Sequence, residues 1–253
     1  MPLTWPAGDD SPVAVKPLAQ GGGILLSIVI PVLNEAERLP ALLADLAAAA
    51  AELPHEVLVV DGGSRDGSTT LASLGGARVL HAAPGRGSQI LHGIGRCEGE
   101  WLLLLHADVR LPQGWWRSLR QAMAGGPATA WAFPLAIEEA GIMLTLVALL
   151  TNLRCRLRQL PYGDQGLLLS RALHERLGGL QPLPLMEDLE FVQRLRQQAR
   201  IRLLPQPLQV NGRRWRRLGV LATAWSNAGL RRAWRRGADP AVLAEIYRTG
   251  GRA

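Results

Sequence analysis

The sequence is poor in cysteine. Of 253 residues only Cys97 and Cys155 are cysteines, which excludes a disulfide scaffold and a multi-cysteine zinc site. Phenylalanine and tyrosine occur twice each, while tryptophan occurs eight times. Lysine is nearly missing: among 28 basic residues only Lys16 is not arginine. That bias reads as compositional, and no nucleic-acid motif accompanies it, so nucleic acid is not an expected partner. Long apolar runs are absent as well. The longest charge-free apolar stretch, Ala140–Leu153, falls short of the about 20 residues that cross a bilayer. The opening MPLTWPAGDDSP lacks the basic start and apolar run of a secretory signal. A cytoplasmic location is expected, extending to peripheral contact with the inner face of a membrane.

Acid is missing from one region. Between Phe191 and Ala238 there are twelve arginines and no Asp or Glu. Residues 1–150 hold 9 basic and 14 acidic residues, and residues 151–253 hold 19 and 7. The net charge of +7 therefore hides an acidic first part and a basic second part. Such a patch suits phosphate or an anionic surface. A hydrophobic content of 48% with 19% charged residues excludes wholesale disorder.

What is present is a repeating pattern. Residues 1–23 carry several prolines and end in three glycines, so they read as a flexible leader. Leu25–Pro31, Glu56–Asp61, Arg78–His81 and Trp101–His106 are short apolar runs of strand type. Between and after them, Ala41–Leu53, Ser68–Leu74, Arg86–Arg96 and Gln113–Ala124 read as helices. This alternation predicts an α/β fold with a mostly parallel sheet flanked by helices. The second half predicts helices at Ala140–Arg158 and Glu187–Gln198 and strands at Leu167–Ser170, Ile201–Leu204 and Leu208–Val210. Two helices finish it, around Leu218–Arg236 and Pro240–Arg248. The expected division is a leader (1–23), one α/β domain (24–215) and a C-terminal basic helical extension (216–253).

Ligands of open α/β sheets bind at the carboxyl ends of strands. The sequence places Asn34 and Glu35 after the first strand, Asp61 after the second and Asp108 after the fourth. Each alone is an ordinary turn or cap residue, and Asp61 in particular suits an Asx turn. Three acidic strand ends together point to chemistry.

The motifs at these ends resemble those of family 2 glycosyltransferases. Ile30–Glu35 (IPVLNE) resembles the family's opening, and Val59–Ser68 (VVDGGSRDGS) its second motif. Leu105–Asp108 (LHAD) stands at the DxD position, and Met186–Asp188 (MED) at the later acidic motif. Arg213-Arg214-Trp215 is similar to the end of QxxRW, with Asn211 in the Gln place. HAD together with PYGDQ (Pro161–Gln165) and PLMED (Pro184–Asp188) resembles the subgroup labelled arsenosugar-biosynthesis glycosyltransferase.

The resemblance implies a GT-A, Rossmann-like domain that moves a sugar, with inversion, from a UDP- or GDP-linked donor to an acceptor hydroxyl. It implies nucleotide binding by Pro31, Leu33, Glu35, Asp61 and Gly62, with Arg86 and His106 beside them. It implies a divalent cation, Mg2+ or Mn2+, held at Asp108. His106 replaces the usual first Asp of DxD. Asp188 is implied as general base, with Glu187 orienting the acceptor or a supporting group. Asp164 and Gln165 are expected to line the sugar or acceptor pocket. Arg213 and Arg214 are expected to clamp the diphosphate, and Trp215 to stack on the acceptor. For the C-terminal helix, an interfacial role and packing on the domain are both open.

Three rival readings follow. A polyprenyl-phosphate glycosyltransferase at the membrane surface is supported by the arginine-rich second half. A nucleotidyltransferase is disfavoured, because the loop after the first strand, VLNEAER, has no glycine. A non-catalytic nucleotide-sugar-binding protein is supported only by His106.

Overall fold

The computed structural model describes residues 25–138, 141–213, 215 and 219–249. The expected leader and Arg214 lie outside the described residues. The elements begin with strand β1 (Leu26–Val32), helix α1 (Leu39–Ala47), β2 (His55–Asp61), α2 (Ser68–Leu74), β3 (Arg78–His81), α3 (Arg86–Ile94) and β4 (Trp101–Leu104). Next come β5 (Val109–Arg110), α4 (Trp115–Ala124), β6 (Thr129–Ala132), β7 (Leu135–Ile137) and α5 (Ile142–Arg158). A 3-10 turn (Gly163–Gln165) leads to β8 (Leu167–Ser170), α6 (Arg171–Arg176), α7 (Glu187–Gln198), β9 (Arg200–Leu203) and β10 (Leu208–Val210). Helices α8 (Val220–Arg235) and α9 (Pro240–Thr249) follow.

The main sheet has seven strands in the order β3-β2-β1-β4-β8-β6-β9. β1, β2, β3 and β4 are mutually parallel, as the alternating pattern predicts. β8 runs antiparallel to both β4 and β6, and β6 pairs parallel with β9. The two faces separate as the two-residue period of a strand requires. Leu26, Ile28, Ile30 and Val32 of β1 join the core under α1 and α4. Val29 joins the other core with Ile90 and Ile94 of α3 and Phe191 and Leu195 of α7.

Two features open the site. β1 pairs with β4 only as far as Val29↔Leu104, while its pairing with β2 continues to Val32↔Asp61. Pro31 is tolerated because its missing donor falls where the β4 ladder has already ended. The crevice between β1 and β4 is the point at which strand order reverses, the usual ligand position in such sheets. A second sheet has the order β5-β10-β7. It fixes three loop residues around the crevice: Asp108 before β5, Glu138 after β7 and Asn211 after β10.

The short strands β5, β6 and β7 and helix α6 are additions to the sequence reading. Helix α1 also ends earlier than expected, at Ala47. Among the described residues no helix is long and apolar enough to cross a membrane. The C-terminal helices pack inward: Leu230 of α8 and Leu243 of α9 are buried against Leu185, beside Met186.

Candidate active site

One end of the crevice is laced by hydrogen bonds from backbone N–H groups to side-chain oxygens between the loops after β1 and β2. Asn34, in the left-handed region at φ 56, accepts from the Arg65 N–H at 2.8 Å. The N–H groups of Asn34 and Glu35 donate to Ser64 Oγ and Ser68 Oγ, each at 2.9 Å. Asp66 accepts from the Ala36 N–H at 2.9 Å and from the Ser68 hydroxyl and N–H. The Ser68 hydroxyl bond, ahead of the others, holds its carboxyl below the ordinary range. Underneath, buried Gln89 donates from Nε2 to Val32 O at 2.8 Å and to Val60 O at 2.7 Å. It ties together the ends of β1 and β2. Gly62 stands directly over this amide, where an added Cβ would lie 3.1 Å from it.

Asp61 is 2% exposed at the floor of this cradle. Its carboxylate accepts from Gly63 N–H at 2.9 Å and Ser64 N–H at 3.1 Å, an Asx turn, and His81 Nδ1 lies 3.6 Å away. Pro31 is half-buried at the crevice and Leu33 is exposed beside it. Arg213 reaches across and donates to Glu35 Oε2 at 3.0 Å. Burial raises the Glu35 carboxyl, Arg213 opposes that rise, and Asp108 adds to it. The backbone at Arg213 is set by Asn211, whose Oδ1 accepts its N–H at 2.7 Å. Asn211 also donates to Glu138 at 3.3 Å.

The other end gathers charge at the start of α7. Glu187 is fully buried, and its Oε1 accepts from Arg86 Nε. Its Oε2 is buried without a partner. Asp188 accepts from Gly163 N–H at 2.7 Å and Leu189 N–H at 2.7 Å, with Arg86 Nη2 at 3.9 Å. Burial pushes the Asp188 carboxyl upward, yet Arg86 and the two N–H groups outweigh burial and lower it. Arg86 is disfavoured by burial but is held charged by Glu187 and Asp188. Met186, just before this pair, has φ 65 in the left-handed region. Such backbone costs about 1–2 kcal/mol and persists where the surroundings impose it. The packing of Leu185 and Met186 against α8 and α9 supplies that constraint.

Gly163 joins this group to His106. A Cβ at Gly163 would lie 2.8 Å from His106 Nε2 and 3.0 Å from Asp188 Oδ2, so only glycine fits. Burial first, and Arg86 next, push the His106 imidazole down to about 4. It is therefore a neutral ring at pH 7. Asp164 has one carboxylate oxygen buried without a partner. Burial and the neighbouring Asp188 push its carboxyl up to about 6. Asp108 lies between the two ends, and its charge acts on Glu35 on one side and on His106 on the other.

Two expectations change, those for Gln165 and Arg86. Gln165 does not line a pocket. It is fully buried and bonds to Phe133 O at 3.1 Å and Cys155 Sγ at 3.1 Å, so it braces the turn. Arg86 does not face the β1–β2 end, where the nucleotide is expected; its guanidinium is committed to Glu187 and Asp188. Glu187 faces this arginine and supports it, and its burial keeps it from an acceptor. Arg213 meets Glu35 and, at 3.9 Å, Glu37. Trp215 is half-buried.

Residues the sequence reading passed over include Gln89, His81 and Glu138. A glutamine in an apolar helix face was the available signal for the first. The others carry no local signature.

Residues 27–141 match the family model of glycosyl transferase family 2. That segment spans β1 to the start of α5. The undecaprenyl-phosphate 4-deoxy-4-formamido-L-arabinose transferase of Pseudomonas syringae is 37% identical over 97 residues, covering 34% of this chain and 29% of that protein. The chain thus matches less than a third of the length of this relative. Its name carries undecaprenyl-phosphate, not the arsenosugar label of the subgroup resemblance. S. aureus TarS 1-349 superposes with a TM-score of 0.60 at 17% identity, covering 79% of this chain and 64% of that one. The mannosyltransferase PcManGT from Pyrobaculum calidifontis, in complex with GDP-Man and Mn2+, gives a TM-score of 0.60 at 19% identity, covering 89% and 69%. Glucosyl-3-phosphoglycerate synthase from Mycobacterium tuberculosis, with Mn2+ and UDP, gives 0.55 at 22% identity, covering 81% and 78%. The fold is that of GT-A glycosyltransferases.

Proposed function

We propose that this chain transfers a glycosyl group from a UDP- or GDP-linked sugar to an acceptor hydroxyl with inversion. The observation that supports this best is the placement of Asp61, Asp108 and Asp188 along one crevice at the strand-order reversal. In this reading Asp61 accepts a base N–H, with Pro31, Leu33, Glu35 and Gly62 around the base and ribose. Arg213 is paired with Glu35 at this end and, in this reading, meets the diphosphate when that pair opens.

The residues fit a divalent cation that the donor itself helps to hold. No group of three His, Cys, Asp or Glu side chains that could hold a metal occurs among the described residues. Asp108 supplies one carboxylate, and Mg2+ or Mn2+ is commonly held by one or two carboxylates plus substrate phosphates. A cation there supplies charge neutralisation for the departing nucleoside diphosphate.

The acceptor oxygen forms a bond to the anomeric carbon as the bond from that carbon to the diphosphate oxygen breaks. The bonding pair leaves with the diphosphate, and the acceptor proton passes to Asp188. One displacement inverts the centre, and no covalent sugar–enzyme bond is needed. Arg86, held by Glu187, keeps Asp188 ionised before the transfer. A carboxylate in this role contributes about 10²–10⁴ in rate.

A thermal-shift series with UDP, GDP and their sugars, each with and without Mn2+, tests the reading. A ligand of the native state raises apparent stability by mass action. We expect a diphosphate of one base to raise Tm strongly with Mn2+ and weakly without it. No shift with any nucleoside diphosphate would sink the proposal.

A further inference from the structure

Helix α5 carries a wide apolar face that is exposed among the described residues. Ile142, Met143, Leu146, Leu149, Leu150, Leu153 and Leu157 are exposed, Ile142 by 89% and Leu157 by 74%. At 3.6 residues per turn these seven fall within an arc of about 120°. The opposite arc holds the helix on the domain. Leu144 and Cys155 are buried there, and Asn152 bonds the N–H and C=O of Leu135 in β7 at 2.7 and 3.0 Å. The exposure is therefore a property of a firmly anchored helix. A contiguous apolar face of this size on a protein surface marks an interaction site.

Arginines rim the face. Arg156 and Arg158 are exposed in the last turn of α5, and Arg200 and Arg202 are exposed on β9, which packs beside α5. Arg196 is exposed as well, and its Nη1 donates to Arg158 O at 3.1 Å. Arg196, Arg200 and Arg202 belong to the stretch Phe191–Ala238, which contains no Asp or Glu. An apolar face edged by arginine is the pattern of a helix lying in a bilayer interface. A second copy of the chain fits less well, because its arginine rim would meet an identical rim.

We infer that α5 seats the protein on an anionic lipid bilayer, with Leu149 and Leu153 entering the interface and the arginine rim meeting the headgroups. This goes beyond the transfer reading and assigns the membrane contact to α5, while the C-terminal helices pack on the domain. The seat lies next to the acceptor end of the crevice. Arg154 of α5 stacks over the Tyr162 ring at 3.7 Å, and its charge acts on Asp164. An acceptor carried by a lipid would arrive on that side.

The test is flotation of the full chain with vesicles of phosphatidylcholine, with and without phosphatidylglycerol. Wild type should float with the anionic vesicles and poorly with the neutral ones. Leu149→Glu/Leu153→Glu should lower partitioning at least about tenfold, by removing apolar burial and adding charge. Arg156→Gln/Arg158→Gln alters only exposed polar positions and should lower binding to anionic vesicles about fivefold per arginine. Wild type that fails to float, or variants that float as wild type does, would overturn the proposal. So would a wild-type dimer in light scattering that Leu149→Glu/Leu153→Glu converts to monomer, which would assign the face to a second copy. UDP and GDP binding in solution with Mn2+, measured on the same samples, fails or holds independently of flotation. Failure of the docking and failure of the transfer reading are thereby distinguished.

Discussion

The two ends of the crevice are built in opposite ways. At the β1–β2 end the polar groups are satisfied before any ligand arrives. Asn34, Asp61, Asp66, Ser64 and Ser68 hold one another through backbone N–H groups, over a glutamine that bridges two strands. At the α7 end charges are buried in excess. Glu187, Asp188 and Asp164 gather around Arg86, next to a neutral His106, and two carboxylate oxygens have no partner. A satisfied cradle suits recognition of a constant group by preorganised donors and acceptors. An unsatisfied charged cluster stores cost in the free protein and suits chemistry.

The largest expected effect lies at the charged end. Asp188→Asn is nearly isosteric, and donor hydrolysis or transfer should fall about 10²–10⁴-fold. A rate within threefold of wild type would remove Asp188 from the proton-transfer role. Next, Glu187→Ala should cost about 1–3 kcal/mol of stability, because it leaves the half-buried Arg86 guanidinium without its nearest partner. Denaturant unfolding of that variant checks this, and a midpoint unchanged from wild type would contradict it.

Asp164 gives a signed pH dependence. Its carboxyl holds a proton up to about 6 in the fold and releases it near the usual 3.8 when unfolded. The folded state binds the proton more tightly, so this group's contribution is full below pH 3.8 and is lost as pH rises through 6. Asp164→Asn removes that loss. It should be more stable than wild type at pH 8 by up to about 3 kcal/mol, and the gain should shrink as pH falls toward 4. A constant difference from pH 4 to pH 8 would contradict the buried environment. The smallest effect belongs to the satisfied end, where Asp61→Ala should weaken nucleoside binding by about 1.5–3 kcal/mol.

The same contrast governs what could be read in the sequence. The parallel half of the sheet was legible because LSIVIPV, HEVLVVD and WLLL are apolar runs separated by helical segments. Val109–Arg110 and Leu135–Ile137 were not, since two or three residues carry no period, and their pairing comes from β10 far along the chain. The order of acidic strand ends was visible, and so was the proximity of Glu187 to Asp188. That Arg86, about a hundred residues earlier, would pair with Glu187 depends on the packing of α3 against α7. Gln165 misled because a polar residue in a turn reads as exposed. Here the turn is buried, and its amide serves backbone and thiol groups. The apolar face of α5 was legible as composition, but only the anchoring of its opposite face shows which side remains uncovered.

The division of labour between the two ends is tested most directly by calorimetric titration of nucleoside diphosphate, with Mn2+, into Asp61→Ala and Asp188→Asn side by side. The account predicts that Asp61→Ala loses about 10–100-fold in affinity, equivalent to the lost hydrogen bonding. It predicts that Asp188→Asn binds within about twofold of wild type, since its effect lies in the transition state. Equal affinity in the Asp61 variant together with lost affinity in the Asp188 variant would contradict it, and would place recognition at the charged end.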